Sequence, residues 1–206
     1  MAVSPPNHGS WAPRGPDDLY TSPPPWDIGR PQPAFLALAD AGAIRGRVLD
    51  VGCGTGEHVL LSVGLGLDAT GVDLASAALH TATEKARDRG HAARFLLQDA
   101  RKLADLGESF DTVLDCGLFH IFTDDDRAAF VNSLRSVVAP GGRYFMLCFS
   151  DQQPGDSWPR VRRVTRDEIT ASFAEGWRVD SIESATIDIT TDPDGIRAWL
   201  VAVTRI

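Results

Sequence analysis

The sequence predicts an α/β, doubly wound fold: a mostly parallel sheet of seven strands with an antiparallel last strand and helices on both faces. Three observations carry this prediction. Short apolar runs alternate with stretches of helical character between residues 48 and 149. Polar residues follow most of these runs at once, as at the carboxyl ends of parallel strands. From Trp177 onward, apolar and polar side chains alternate on both sides of a turn, which predicts an antiparallel pair.

The first half of the predicted fold contains three strands. A short amphipathic helix with a proline near its start precedes them, over Pro33–Ala43. Ser76 is expected to cap the helix that follows strand 2, and Gly90 to end it. The predicted elements are strand 1 at Val48–Val51, a helix at Glu57–Leu65, strand 2 at Asp68–Val72, a helix at Ser76–Arg89 and strand 3 at Ala93–Leu97.

The second half contains four strands. Thr165 and Glu168 have the spacing of a capping box. The acidic run at 124–126 suits the positive end of a helix dipole, which we favour over a metal site. The predicted elements are strand 4 at Phe110–Asp115, a helix at Asp125–Val138, a turn at Pro140–Gly142, strand 5 at Arg143–Phe149, a helix at Thr165–Phe173, and strands at Trp177–Ile189 and Ala198–Ile206, joined by a turn at Thr190–Gly195.

Composition narrows the class of protein. The net charge of −8 over 206 residues argues against a nucleic-acid partner, because affinity for phosphate backbones rests on Lys and Arg. No apolar run reaches the ~18 residues of a membrane span, and no signal pattern opens the chain. The three cysteines, Cys53, Cys116 and Cys148, lack metal-ligand spacing. We therefore expect a cytoplasmic enzyme, a monomer without metal or membrane partner, whose ligand is a small molecule.

The N-terminal region holds nine of the 13 prolines, all within the first 33 residues. Such a stretch cannot pack as regular helix or strand. We predict a disordered tail at 1–16, a lid segment at 17–33 and a single domain at 34–206. Trp26 and Ile28 stand between prolines, so they are apolar groups on a stiff segment, which suits a lid over a pocket.

A glycine-rich turn follows strand 1, and it predicts a site for a nucleotide-like cofactor. Gly52, Gly54 and Gly56 allow close approach of a ligand, and the turn is expected to present free backbone N–H groups. A dinucleotide fingerprint wants G-x-G-x-x-G, but here the third glycine comes one position early. Asp50 would repel a pyrophosphate, whereas it could accept hydrogen bonds from an ammonium or a bound water.

The turn from Asp50 to Gly56 resembles the first motif of the class I S-adenosylmethionine-dependent methyltransferases. The resemblance implies a Rossmann-like sheet, with S-adenosylmethionine as cofactor and S-adenosylhomocysteine as its product. It also implies that Asp73 grips the ribose hydroxyls and that Asp99 takes the adenine amino group. The cofactor-binding residues expected on this basis are Trp26, Asp50, Gly52, Cys53, Gly54, Thr55, Gly56, His58, Asp73, Leu74, Asp99, Ala100, Asp115 and Cys116.

A second resemblance concerns the segment Pro25–Pro33. It is similar to the Pro-Trp-Asp-x-Gly-Arg-x-x-Pro segment of the thiopurine, thiol and halide methyltransferases, and to bacterial relatives that methylate heterocyclic toxins and thiol antibiotics. The resemblance implies that the segment folds over the active site. It further implies that Trp26 lies beside the sulfonium, where an aromatic face would attract the cation.

The acceptor side has one candidate catalytic residue. His120 lies just beyond strand 4, and as a histidine it could accept a proton or hydrogen-bond the substrate. The alternative is a histidine that only orients its loop. Aromatic residues in this region could equally belong to the core. The expected substrate pocket comprises Tyr20, Trp26, Ile28, Phe119, His120 and Trp158.

These expectations define one leading function and three alternatives. The leading function is methyl transfer from S-adenosylmethionine to a thiol of a heterocyclic or aromatic molecule. A thiol suits the site because its pKa of about 8.5 supplies thiolate near neutrality, so the enzyme needs mainly to align it. The alternatives are O- or N-methylation of a phenolic or heterocyclic product, an NAD-type oxidoreductase and a non-catalytic cofactor-binding regulator.

Overall fold

The computed structural model describes residues 15–155 and 162–206. The strands are β1 Val48–Val51, β2 Ala69–Asp73, β3 Arg94–Leu97, β4 Phe110–Cys116, β5 Val138–Phe149, β6 Trp177–Ile189 and β7 Asp192–Arg205. The helices are α1 Pro33–Asp40, α2 Glu57–Gly64, α3 Ser76–Asp88, α4 Asp124–Val137 and α5 Arg166–Ser172. Short 3₁₀ helices span Pro16–Tyr20, Ala100–Leu106 and Phe119–Ile121.

All seven strands form one sheet in the order β3-β2-β1-β4-β5-β7-β6. The strands from β1 to β5 pair in parallel, and β7 lies antiparallel between β5 and β6. The predicted doubly wound class is therefore confirmed. The chain order reverses between β1 and β4, and a ligand of such a sheet binds outside the carboxyl ends of the strands at this point.

The β6–β7 hairpin is longer than predicted. The expected turn at Thr190–Gly195 shrinks, because β7 begins at Asp192 and Ile189 pairs with Asp192. Gly195 adopts a φ of 65°, and the register shifts between Ile187 and Ile189. The pairing irregularity accommodates the proline and glycine that had indicated a turn. Strand β5 likewise extends back through the predicted turn at 140–142, with a register shift between Phe110 and Thr112.

Of the two predicted side-chain caps at helix N-termini, one is confirmed and one is wrong. The Thr165–Glu168 capping box is confirmed at α5. Ser76 is not the cap of α3, since the N-cap is Ala75. Instead, the Asp17 carboxylate accepts hydrogen bonds from the Ala77 N–H and the Ser76 hydroxyl, both 2.9 Å long. Pro16, predicted to end the disordered tail, begins a 3₁₀ helix. Residues 1–14 of that tail lie outside the described residues.

Two apolar clusters sandwich the sheet. One contains Phe130 of α4 and Ile169 of α5, and the other contains Phe35 of α1, Val59 of α2 and Leu79 of α3. All four residues of β1 are buried, which explains their nearly continuous apolar character. Within the described ranges, no helix is long and apolar enough to cross a membrane.

Candidate active site

The glycine turn lies at the carboxyl end of β1, where the N-terminal segment packs against it. Gly54 has a φ of 52°, and a Cβ there would lie 2.9 Å from the Tyr20 hydroxyl oxygen. Gly56 has a φ of 84°, and a Cβ there would meet Phe95 at 2.8 Å. Only glycine therefore allows the N-terminal segment and the β3 side chain to approach this closely.

The expectation of free N–H groups in the turn is wrong for three residues. The Cys53 N–H donates to the Val72 carbonyl at 3.0 Å, the Gly54 N–H to Asp73 at 2.8 Å and the Gly56 N–H to the Cys53 carbonyl at 2.9 Å. The Cys53 side chain is buried in the core. Its N–H and carbonyl each make a hydrogen bond within the protein, and the predicted cofactor contact of Cys53 stays a prediction.

Asp50 is the polar group in this region that lacks a partner. It is 1% exposed, and neither carboxylate oxygen has a hydrogen-bond partner in the described part of the chain. Burial and the nearby charges of Asp115 and Asp73 raise its pKa well above the ordinary value. A buried carboxylate is costly without a counterion. Asp50 therefore fits a cationic group such as an ammonium.

His58 opens α2 beside Asp50. Its Nε2 accepts a hydrogen bond from the Gln32 N–H at 3.2 Å, and its Nδ1 lies 3.9 Å from Oδ2 of Asp50. The ring packs edge-on against Phe35, with centroids 4.6 Å apart. Burial lowers the pKa of His58 to about 4, so the ring is neutral near pH 7.

Asp73 ends β2 and holds the turn on either side of it. Its carboxylate accepts hydrogen bonds from the N–H groups of Gly54 and Ala75, both at 2.8 Å. Burial raises its pKa. The next residue, Leu74, is 46% exposed and offers an apolar surface beside this carboxylate. The ribose contact of Asp73 and the cofactor contact of Leu74 stay predictions.

The Asp99 carboxylate is bonded at the start of the 3₁₀ helix that spans Ala100–Leu106. It caps the 3₁₀ helix by accepting from the Arg101 N–H at 2.9 Å, and it pairs with the Arg101 guanidinium at 2.8 Å. This pairing lowers the pKa of Asp99. Ala100 is buried in the core. The carboxylate is paired with Arg101 in this conformation, and the predicted adenine contact stays a prediction.

Asp115 holds the loop after β4 together. It accepts hydrogen bonds from the Tyr144 hydroxyl at 2.7 Å, the Leu118 N–H at 2.8 Å and the Phe119 N–H at 3.2 Å. Burial raises its pKa to about 7. These partners give it a structural role, and the predicted cofactor contact of Asp115 stays a prediction. The neighbouring Cys116 is half-buried, and burial raises the pKa of its thiol.

Phe119 is a core residue, so its prediction as a pocket wall is wrong. It is fully buried and stacks on Phe173 at 5.9 Å between centroids. The Arg127 guanidinium carbon lies over the Phe119 ring, 4.6 Å from its centroid. Trp158, another predicted wall, lies outside the described residues.

His120 has a fixed ring orientation that favours a hydrogen-bond donor over the predicted general base, a role that stays untested. The backbone N–H of Phe149 donates to its Nδ1 at 3.2 Å, and the two rings stack 4.2 Å apart. Burial and the charge of Arg127 lower the pKa of His120 to about 3. A neutral imidazole that accepts at Nδ1 carries its proton at Nε2. His120 therefore offers a hydrogen-bond donor, and it has no free lone pair to take a proton.

Residues 16–32 form a segment that we call the N-terminal strap. The Tyr20 hydroxyl lies against Gly54, and the Trp26 side chain lies beside Tyr20. Trp26 is 40% exposed, and Ile28 is half-buried. The strap thus crosses the glycine turn as a lid would, and its function as a lid stays a prediction.

The strap is tied to the glycine turn through Asp27, which the sequence analysis did not assign to the site. The Thr55 hydroxyl donates to Asp27 at 3.0 Å and accepts from the Lys85 ammonium at 2.8 Å. Lys85 also pairs with Glu57 at 2.9 Å. The Thr55 hydroxyl, predicted to bind cofactor, is therefore engaged with the strap.

The other end of the strap is tied to β6. The Gln32 amide donates to the Asp188 carbonyl at 3.0 Å and accepts from the Asp188 N–H at 2.8 Å. Arg30 pairs with the Asp188 carboxylate at 2.7 Å. Neither Gln32 nor Asp188 was predicted, because their contact spans 156 positions of sequence.

A family model described as "Methyltransferase domain" matches residues 48–142. A curated relative, the 2-heptyl-1-hydroxyquinolin-4(1H)-one methyltransferase of Mycobacteroides abscessus, is 32% identical over 80% of this chain and 73% of its own length. The chain belongs to the class I S-adenosylmethionine-dependent methyltransferases. This membership sets aside the oxidoreductase alternative and supports S-adenosylmethionine as the cofactor. The contact between that cofactor and Asp50 stays a prediction.

Two further proteins are similar to this methyltransferase. "Probable thiol methyltransferase 2" of Arabidopsis thaliana is 29% identical over 64% of this chain and 59% of its own length. A solved structure described as "Conversion of a Disulfide Bond into a Thioacetal Group during Echinomycin Biosynthesis" is 38% identical, with a TM-score of 0.83, covering 92% of this chain and 91% of the other.

Proposed function

We propose that this methyltransferase transfers a methyl group to the sulfur of a small aromatic or heterocyclic thiol. The observation that carries the proposal is the hydrogen bond from the Phe149 N–H to His120 Nδ1, which leaves His120 a donor. A site that offers a donor and no histidine base suits an acceptor that ionises by itself.

The pKa of the acceptor separates thiols from phenols. A thiol with a pKa of about 8.5 is partly thiolate near neutrality, whereas a phenol with a pKa of about 10 needs a base. Two carboxylates near the strands' carboxyl ends are already engaged: Asp99 pairs with Arg101, and Asp115 binds Tyr144 and its own loop. The Nε2–H of His120 could instead stabilise an anionic nucleophile by a charge-assisted hydrogen bond.

The names of the similar proteins support sulfur as the methyl acceptor, and one of them favours a different acceptor atom. One relative is named as a probable thiol methyltransferase, and the similar solved structure concerns the conversion of a disulfide into a thioacetal. The rival is O-methylation, which the hydroxyquinolinone named for the other relative favours. A hydroxyl on a ring nitrogen would be an alternative acceptor at the same site.

The residues have separable tasks in this proposal. Asp50 balances the positive charge of the bound donor, and Asp73 with Leu74 offers a polar and an apolar contact beside it. Bound S-adenosylmethionine supplies a methyl group on a sulfonium. The strap, through Tyr20 and Trp26, covers the glycine turn and excludes water. His120 donates to the acceptor and orients it for in-line attack, and such positioning can supply much of the rate.

We further propose that the enzyme acts as a cytoplasmic monomer without a metal. The acidic run at the start of α4 is engaged elsewhere: Asp124 pairs with Arg162 at 2.5 Å and Asp126 with Arg101 at 2.5 Å. In the described ranges, no group of three or more His, Cys, Asp or Glu residues is arranged to hold an ion. Turnover should be the same before and after dialysis against a chelator, and its loss would contradict the metal-free proposal.

The test uses matched acceptors that differ only in the reacting atom. Methyl transfer from labelled S-adenosylmethionine is measured for aromatic and heterocyclic thiols, their hydroxyl analogues and N-hydroxy heterocycles. We expect the thiols to turn over fastest, with a rate that rises with pH up to the acceptor's own pKa. Faster turnover of the oxygen analogues would overturn the choice of sulfur. Donor binding without turnover of any acceptor would support the non-catalytic regulator.

A further inference from the structure

We propose that His58 is a positioning residue that couples docking of the N-terminal strap to binding of the methyl donor, through the Asp50 carboxylate. The proposal concerns donor binding, so it rests on the donor-side assignment of Asp50 and not on the identity of the acceptor. It is carried by the juxtaposition of a strap amide, a buried imidazole and a buried carboxylate that has no hydrogen-bond partner among the described residues.

The strap determines which nitrogen of His58 carries the proton. The Gln32 backbone N–H can only donate, so His58 Nε2, 3.2 Å away, must accept. The neutral ring then carries its proton at Nδ1, on the side of Asp50. The Nδ1–Oδ2 distance of 3.9 Å is longer than a hydrogen bond, so the N–H dipole acts on the carboxylate electrostatically. Such an interaction is strong where water is excluded.

Gln32 is both the last residue of the strap and the N-cap of α1, so its N–H faces His58 when this end of the strap is docked. Gln32 is 2% exposed, and its side-chain amide makes two hydrogen bonds to the Asp188 backbone. If the strap leaves, Nε2 loses its donor, and the neutral ring is free to carry its proton there instead. Nδ1 would then turn a lone pair towards Asp50 and repel the carboxylate. The docked strap therefore favours an ordered, ionised Asp50.

The coupling must run in both directions. A cation held by Asp50 favours the ionised carboxylate, which favours the Nδ1–H form of His58 and hence the docked strap. Donor binding should accordingly protect the strap from solvent, and strap docking should raise donor affinity. The Asp27–Thr55 contact fastens the strap to the glycine turn at a second point, and it does not involve His58.

Two amide substitutions separate the two nitrogens of His58. His58→Gln places an amide near Nε2, where it can accept from Gln32, but it removes the donor that faces Asp50. His58→Asn places an amide near Nδ1, where it can donate towards Asp50, but it leaves the Gln32 N–H without an acceptor. Phe35→Leu is the packing control, since it alters the contact with the His58 ring and neither polar interaction.

The readouts are calorimetric binding of S-adenosylhomocysteine and hydrogen exchange of the strap amides, with and without that ligand. We expect His58→Gln to weaken binding about tenfold while the strap stays protected in the free protein. We expect His58→Asn to bind within about threefold of wild type while the strap exchanges faster and its protection no longer responds to the ligand. Phe35→Leu should lower the Tm and leave both readouts unchanged.

Three outcomes would overturn the proposal. Both His58 variants could bind within twofold of wild type, with unchanged strap exchange. Both could lose affinity in parallel with Tm, as Phe35→Leu would if packing alone mattered. In the third outcome, His58→Gln would keep wild-type affinity with faster strap exchange, whereas His58→Asn would lose affinity with a protected strap. Failure of the thiol proposal would leave these binding measurements intact, whereas absence of any S-adenosylhomocysteine binding to wild type would refute the donor-site assignment itself.

Discussion

The backbone N–H of Phe149, the last residue of β5, donates a hydrogen bond to Nδ1 of His120, on the loop after β4. The stacked rings of the same two residues fix the plane of the imidazole as well as its tautomer. Neighbouring parallel strands thus present an N–H donor at a defined place beyond their carboxyl ends. A histidine that donates a hydrogen bond at Nε2 should affect the rate and its pH dependence differently from a histidine that acts as a base.

The first prediction concerns the kinetic role of His120. His120→Ala should lower kcat with thiol acceptors by ten- to a hundredfold, since a charge-assisted hydrogen bond is worth about 1.5–3 kcal/mol. His120→Gln should restore part of this loss, because its amide can donate from nearly the same position. The pH profile from 6 to 9 should keep the same shape in all three proteins. If the wild-type pH–rate profile showed a titration with an apparent pKa near 6.5, and both variants lost it, His120 would be the general base after all.

The second prediction concerns the pH dependence of stability. Folding lowers the pKa of His120 from 6.5 to about 3, so its contribution to stability is complete above pH 6.5 and is lost as the pH falls towards 3. The loss approaches about 1.4 kcal/mol per pH unit. Asp115 acts in the opposite direction, since its pKa is raised to about 7 and the folded protein gains stability as that carboxyl takes up a proton.

A difference between variants isolates the His120 contribution from that of Asp115. His120→Gln does not titrate, so its free energy of unfolding should fall less between pH 6.5 and 4 than that of wild type. Urea unfolding at four or five pH values measures both curves. If the two curves run parallel over that range, His120 is not buried in neutral form.

Local sequence patterns predicted the fold and the place of the glycine turn well, for a physical reason. Asp73 binds the backbone of the glycine turn, which lies about 20 positions earlier in the chain. Both partners therefore belong to one short stretch of sequence, where a local pattern can reveal them. Tertiary contacts determined the rest. Asp17 caps α3 from about 60 positions away, and Gln32 binds the backbone of β6 across 156 positions. The tautomer of His120 depends on a β5 amide that no pattern reveals.

The third prediction concerns Asp50, whose buried carboxylate lacks a partner among the described residues. Asp50→Asn keeps the shape and removes the charge, so it should weaken S-adenosylhomocysteine binding at least tenfold. Tm should not fall, because the substitution relieves repulsion from Asp115 and Asp73. Calorimetry and thermal unfolding test the two effects. A lower Tm with unchanged affinity would show that Asp50 serves the fold and not the ligand.

The fourth prediction concerns the hydroxyl that fastens the strap. Thr55→Val preserves the shape of the side chain but removes the hydrogen bonds to Asp27 and Lys85. A typical hydrogen bond contributes about 0.5–1.5 kcal/mol, and one to a charged group about 1.5–3 kcal/mol. We therefore expect about a tenfold rise in the exchange rate of amides 26–29, with little change in α3 or the sheet.

The control for this substitution is Thr81→Val, which removes a hydroxyl that bonds only to the Ala77 carbonyl within α3. It should leave the exchange of the strap unchanged. Because the strap covers the donor side of the glycine turn, Thr55→Val should also raise the KM for S-adenosylmethionine more than it lowers kcat. A strap that exchanges at the wild-type rate in Thr55→Val would mean that Gln32 and Arg30, at the β6 end, suffice to hold it.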